Sequence, residues 1–232
     1  MPDGETLRPM PETRDLSFTS AGARVQYLLL MALFRVAVTR GLYGRFARAL
    51  GRLFSAENQA LLSIDGAPPF RVPLNDGYWT RFALWNAQYE PEIARVLHAA
   101  AGTAELFCDC GANKGYWTVR AAPLFARVVA AEAAGATFAA LQATAGQLPN
   151  VRLHRVAIHA TSGARLTFVN VANSHASARL SGEGGPGGGG PGKGDTTETV
   201  ETRRIDDLVP EGMPALIKLD VEGAEIDALD GA

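Results

Sequence analysis

The sequence predicts an α/β protein whose second half builds a parallel sheet with helices on both faces, preceded by an N-terminal helical segment. Three observations carry this expectation. From Leu106 onward, short apolar runs alternate with helix-type segments, the order that produces parallel βαβ units. A glycine turn, Gly111-x-Asn113-x-Gly115, follows the first of these runs, and an acid, Glu132, closes the second. In open parallel sheets, strand ends of this kind are where ligands bind.

Composition narrows the class. The chain has 232 residues, 47% hydrophobic and 20% charged, with 22 Lys+Arg against 24 Asp+Glu. This is globular composition and excludes a collagen-like, coiled-coil or largely disordered chain. It also excludes a strongly basic nucleic-acid binder, so no nucleic-acid partner is expected. Nine of the 25 glycines fall between Gly182 and Gly194, so the excess belongs to one loop with the composition of a flexible linker. Cys108 and Cys110 are the only cysteines, which excludes a disulfide scaffold and suits a cytoplasmic setting. Their alternation on a strand points both to one face, as small buried side chains. Four scattered histidines, His98, His154, His159 and His175, give no zinc-ligand spacing, and no metal is expected.

Taken in order, Met1 to about Ala23 reads as a polar segment without a signal-peptide pattern. Val25–Val38 is an apolar helix too short to span a bilayer. Six arginines and no acid lie between Arg24 and Phe54. Arg45, Arg48 and Arg52 follow helical spacing, with Phe46, Ala49, Leu50 and Leu53 mostly on the other side. Residues 24–54 are therefore either helices packed on the main domain or a dimer partner, or a basic amphipathic surface on an anionic inner membrane face. Leu61–Leu74 reads as short strands. Pro91 and Glu92 open a helix with Ile93, Val96, Leu97 and Ala100 as its buried face, stopped at Gly102.

The alternating region then gives strands at Leu106–Cys110, Arg127–Glu132 and Val151–Ile158, with helices at Gly115–Leu124 and Gly135–Ala145. Arg165–Val171 and Glu198–Ile205 read as a hairpin carrying the glycine tract. Leu216–Val221 is a further core strand and Glu222–Leu229 a helix.

The candidate site lies at the strand ends. Glycine allows close backbone approach to a ligand, and Asn tolerates left-handed angles nearly as well. The spacing differs from the G-x-G-x-x-G dinucleotide fingerprint. Glu132 stands where nucleoside-binding sheets place an acid on the ribose hydroxyls. In Leu216–Glu225, strand alternation puts Lys218, Asp220 and Glu222 on one face. Three such charges either pair with one another or line a site, and for Lys218 a purely structural ion pair is an equal alternative.

These residues resemble the FkbM-type S-adenosylmethionine-dependent methyltransferases of the class I, Rossmann-like fold. Asp109–Thr118 is similar to the family's D-V-G-A-N-x-G-Y-x-T, with Cys110 for Val, and Lys218–Glu225 to K-I-D-V-E-G-A-E, with Leu219 for Ile. Tyr89–Glu92 and Asn173–Ser177 look like less specific family positions, so the resemblance runs from roughly Pro68 to the end. It implies that Asp109, Gly111, Ala112, Asn113 and Gly115 line the methionine part of S-adenosylmethionine. By the same resemblance Glu132 binds the ribose, and Ala157 with its neighbour Ile158 approaches the adenine. Asp220 and Glu222 would face the methyl group and acceptor as catalytic residues, Asp220 foremost as base. The implied reaction is O-methylation of a small-molecule, sugar or glycan acceptor.

The expected organisation is an N-terminal tail and basic helical segment over 1–60 and a methyltransferase domain over 61–232, with the flexible loop at 182–194. Class I sheets carry seven strands, and this sequence reaches Ala232 after four. The expectation is therefore a C-terminally truncated sheet of marginal stability with Leu216–Val221 as an apolar edge. Two competing readings are a nicotinamide-dependent oxidoreductase, which the glycine spacing disfavours, and a catalytically inactive methyltransferase-like remnant that binds a nucleoside ligand or a partner.

Overall fold

The computed structural model describes residues 12–37, 43–84, 89–170, 178–181, 196–221 and 223–232. The glycine tract, Asn173–Ser177 and Glu222 fall outside these. The chain forms two compact units, Met1–Ala99 and Ala100–Ala232.

In the first unit, β1 (Arg14–Phe18) precedes helices α1 (Ala21–Ala37) and α2 (Tyr43–Gly51). Strands β2 (Gln59–Ile64) and β3 (Phe70–Pro73) then complete an antiparallel sheet of order β1-β2-β3. Alternation buries Ala60, Leu62 and Ile64 of β2 with Phe70 and Val72 of β3. Helix α1 buries Ala23, Leu30, Phe34 and the amide of Gln26, whose Oε1 accepts from Asn58 Nδ2 at 3.0 Å. Asp76 caps the one-turn helix α3 (Gly77–Trp79) by accepting from the Tyr78 and Trp79 amides. A π-type turn follows over Thr80–Leu84, where the Tyr43 hydroxyl donates to Thr80 Oγ1 at 2.9 Å. Helix α4 (Pro91–Ala100) buries Ala94 and Leu97, whereas Val96, expected on its inner face, is 52% exposed. Because β1 pairs with β2, the strands after residue 59 belong with the N-terminal helices. The first compact unit accordingly runs to Ala99.

The second unit holds the parallel sheet. Strands β4 (Leu106–Cys110), β5 (Arg127–Ala131) and β6 (Val151–His154) are joined by α5 (Tyr116–Ala121) and α6 (Gly135–Ala145). The chain then leaves this sheet. Strand β7 (Ala157–Ile158), the hairpin strand β8 (Arg165–Asn170), β9 (Ala178–Ser181) and β10 (Thr196–Arg203) form a second sheet of order β7-β10-β8-β9. The expected third strand, Val151–Ile158, is thus two strands in two sheets. The predicted hairpin is present as β8 and β10, paired from Thr196↔Asn170 to Glu201↔Arg165. After a 3-10 turn at Ile205–Asp207, β11 (Ala215–Leu219) returns to lie parallel to β4, and α7 (Glu225–Leu229) follows.

The order β11-β4-β5-β6 is a Rossmann-like arrangement of parallel strands, with the order of succession reversing at β4 and β11. One face packs Leu106, Cys108, Cys110, Val129 and Ala131 against Val156, Ile158, Ile205, Leu208 and Ala228 of α7. The opposite face carries α5 and α6: Phe107 stacks near Phe125, and Thr118 of α5 reaches Asp109. Helices thus cover both faces, as predicted. Both cysteines are fully buried on one face, with sulfurs 3.6 Å apart. Strand β11 lies at the sheet edge, with Ile217 40% exposed.

Candidate functional site

Open parallel sheets place their ligand crevice at the carboxyl ends of the strands where the order reverses, here β4 and β11. Gly111 makes the first bend there. Its φ is +78°, and a Cβ at this position would lie 1.8 Å from the Asp220 carbonyl oxygen. Only glycine lets the turn pass so close to the end of β11. The amides of Gly111 and Ala112 then both donate to the Ala131 carbonyl, at 2.9 Å each, folding the turn onto the end of β5. Asn113 takes a left-handed φ of +51°. Gly115, at φ +92°, packs so closely on α6 that a Cβ would sit 2.8 Å from Leu141 Cδ1.

This bend brings Asn113 to Glu132. The Asn113 amide donates to Glu132 Oε2 and the Ala134 amide to Glu132 Oε1, both at 2.9 Å. The Ala133 amide is a third backbone donor to this carboxylate. Burial raises the pKa of Glu132 above its ordinary value, and the backbone donors partly oppose the shift.

A second acidic group lies beside the turn. Asp109 is fully buried on β4, and its Oδ2 accepts from Thr118 Oγ1 at 2.6 Å. Its Oδ1 has no hydrogen-bond partner among the described residues, although the Lys218 ammonium stands 3.7 Å away. Desolvation dominates and raises the Asp109 pKa, against the lowering influence of Lys218 and Thr118. Lys218, opposite Asp109 in the ladder, also donates to Asp220 Oδ2 at 3.2 Å. Asp220 is itself exposed. The charges on this face of β11 therefore both pair and open to solvent, since Lys218 bridges a buried and an exposed carboxylate.

The structure therefore gathers Asp109, Gly111, Ala112, Asn113, Gly115, Glu132 and Asp220 at the carboxyl ends of β4, β5 and β11. Asp109 lies beneath the turn rather than on its surface. Ala157 is buried against Ala134 and Val200 and pairs with Thr202 of β10, so it reaches the neighbourhood of Glu132 from the second sheet. Glu222 lies outside the described residues. Two contributors were not singled out from sequence. Thr118 lies inside the glycine motif, nine residues after the aspartate it supports. Glu198 of β10 accepts from the Gly135 amide at 2.8 Å and pairs with Arg155, fastening the second sheet to the start of α6. These partners are 63 and 43 residues from Glu198, and no local pattern marks them.

Comparison with known proteins adds a decisive observation. The model of the methyltransferase FkbM domain matches residues 109–232, more than half of the chain. The chain belongs to the FkbM methyltransferase family. The match begins at the aspartate of the glycine motif, so Tyr89–Glu92 lies outside it. A crystal structure of methyltransferase FkbM from Methylobacillus flagellatus KT is 21% identical, with a TM-score of 0.36. That alignment covers 56% of this FkbM-family chain and 29% of the other. No curated protein matches the sequence.

Proposed function

We propose that the chain is an S-adenosylmethionine-dependent methyltransferase acting on a hydroxyl oxygen of a small molecule, sugar or glycan. The observation that carries this reading is the Glu132 carboxylate, fixed by the Asn113 and Ala134 amides at the end of β5, beside the glycine turn that packs on Asp220. The residues present fit the cofactor. Glu132, held by backbone amides, offers its remaining acceptor capacity to the ribose hydroxyls. The Gly111–Asn113 backbone lines the methionine part, with no Cβ tolerated at Gly111. Ala157 with Ala134 provides an apolar floor for the adenine. Asp109 holds Thr118 and Lys218 in place from below.

When bound, S-adenosylmethionine supplies an electrophilic methyl group on a sulfonium. The chain's own work is alignment and proton removal. Lys218 holds Asp220 through Oδ2, and Asp220 Oδ1 takes the proton of the acceptor hydroxyl. Asp109 keeps the Lys218 ammonium at the strand end, so the base is positioned from within the sheet. Glu222, the next residue but one, is proposed as a second acidic group of the acceptor side.

The test is calorimetric titration with S-adenosylmethionine, followed by transfer of a labelled methyl group to a panel of hydroxyl acceptors. Asp220→Asn is expected to lower turnover about 10²- to 10⁴-fold while leaving cofactor affinity close to that of the wild type. Full turnover in this variant refutes the base assignment. Cofactor binding without transfer to any acceptor favours the inactive, ligand-binding reading, and absence of binding overturns the proposal.

A further inference from the structure

A surface on the first unit contains none of the residues of the site described above. Helix α1 turns Ala23, Gln26, Leu30 and Phe34 inward, which accounts for one helical face. The opposite face is apolar as well: Val25 is 50% exposed, Leu28 57% and Leu29 41%. A helix with apolar side chains on two opposite faces calls for a second apolar environment. The adjoining α2 buries Tyr43 and Ala47, while Phe46 is exposed and Leu53, just past its end, lies 79% in solvent.

The charge around these side chains has one sign. Arg24 on α1 and Arg45, Arg48 and Arg52 on or just after α2 are all exposed. Among the described residues none of these four pairs with a carboxylate. No acid occurs anywhere between Arg24 and Phe54. Among the described residues no helix is long and apolar enough to cross a membrane.

We propose that the α1–α2 surface docks the protein peripherally on an anionic lipid bilayer. Leu28, Leu29, Phe46 and Leu53 enter the boundary between headgroups and acyl chains, and the arginines meet the lipid phosphates. Charge complementarity selects this occupant. A second copy of the chain would bring the same uncompensated arginines against one another, whereas an anionic bilayer neutralises them.

The full chain is tested by co-sedimentation with phosphatidylcholine vesicles prepared with and without phosphatidylglycerol. Binding is expected only to the anionic vesicles and to weaken as salt is added. Reversing Arg45, Arg48 and Arg52 to Glu is expected to weaken it about a hundredfold or more. Leu28→Asn is expected to weaken it about tenfold or more. All substituted side chains are exposed, so circular dichroism and thermal melts of both variants should match the wild type. The salt titration of the wild type tests the charge argument without any variant. Failure to bind anionic vesicles, or binding indifferent to both salt and arginine reversal, overturns the proposal. So does a stable dimer in light scattering that Leu28→Asn dissociates, which would assign the face to a second copy.

Discussion

Gly111→Ala tests the geometry of the crevice most directly. Alanine in the left-handed region costs about 1–2 kcal/mol, and the observed φ is +78°. The new Cβ would also stand 1.8 Å from the Asp220 carbonyl oxygen and 2.7 Å from its carbon. That neighbour is backbone, so relief requires the end of β11 to move away from β4. The hydrogen bond from the Asp220 amide to the Cys110 carbonyl, 3.0 Å long, is then lost, at about 1 kcal/mol. The sum is about 2–3 kcal/mol. For a chain of this size it corresponds to a melting temperature roughly 5–10 °C lower. Because the displaced residue is Asp220, turnover should fall about a hundredfold as well. Gly163→Ala is the matched control: its φ is +79° and nothing lies within 4 Å of the added Cβ. Its cost is therefore the backbone penalty alone, with turnover intact. Urea and thermal melts of the two variants side by side isolate the contact with Asp220. Equal melts for the two, or a Gly111→Ala enzyme with undiminished turnover, would refute the argument.

Glu132→Gln should weaken S-adenosylmethionine binding about 10- to 100-fold in calorimetry, the worth of a charged hydrogen-bond acceptor; unchanged affinity would remove Glu132 from the ribose site. Burial raises the Asp109 pKa above its ordinary 3.8, so the folded state holds this proton more tightly than the unfolded chain. The stability this brings is complete below the unfolded value and is lost as pH rises through the folded one. Asp109→Asn should therefore gain on the wild type in urea melts as pH rises above about 4, and a pH-independent difference would contradict the assignment. Cys108 and Cys110 are fully buried, and contact with Cys108, then burial, pushes the Cys110 thiol up. Neither should react with a thiol reagent until urea unfolds the chain, and labelling of the native protein would show that this face opens.

Strands β4 and β5 and helix α6 were legible because each couples a local pattern to its end signal: an apolar run closed by an acid, or a helix flanked by glycines. The same holds for the crevice, since Gly111, Asn113 and Glu132 are required by backbone geometry that a motif records directly. Strand β1 was not legible. Arg14–Phe18 has only Leu16 and Phe18 as apolar residues, and it becomes a strand through pairing with β2, where Phe18 lies opposite Ala60, 42 residues away. The break of the third strand did leave one mark. The apolar positions run Val151 and Leu153, then Val156 and Ile158, a change of parity that a single strand cannot satisfy with one buried face. The chain uses that change to swap partners: His154 pairs with Ala131 of β5, whereas Ala157 pairs with Thr202 of β10. Between them Arg155 meets Glu198, whose carboxylate also holds the Gly135 amide. The parity change is thus tied to the site, because it fastens the second sheet to the helix that follows Glu132. Lys218 makes the same point from the other strand. Its alternation with Asp220 was visible, but its bridging role depends on lying opposite Asp109 in the ladder. That register arises only when a chain segment more than a hundred residues later returns to β4, and local pattern contains no record of it.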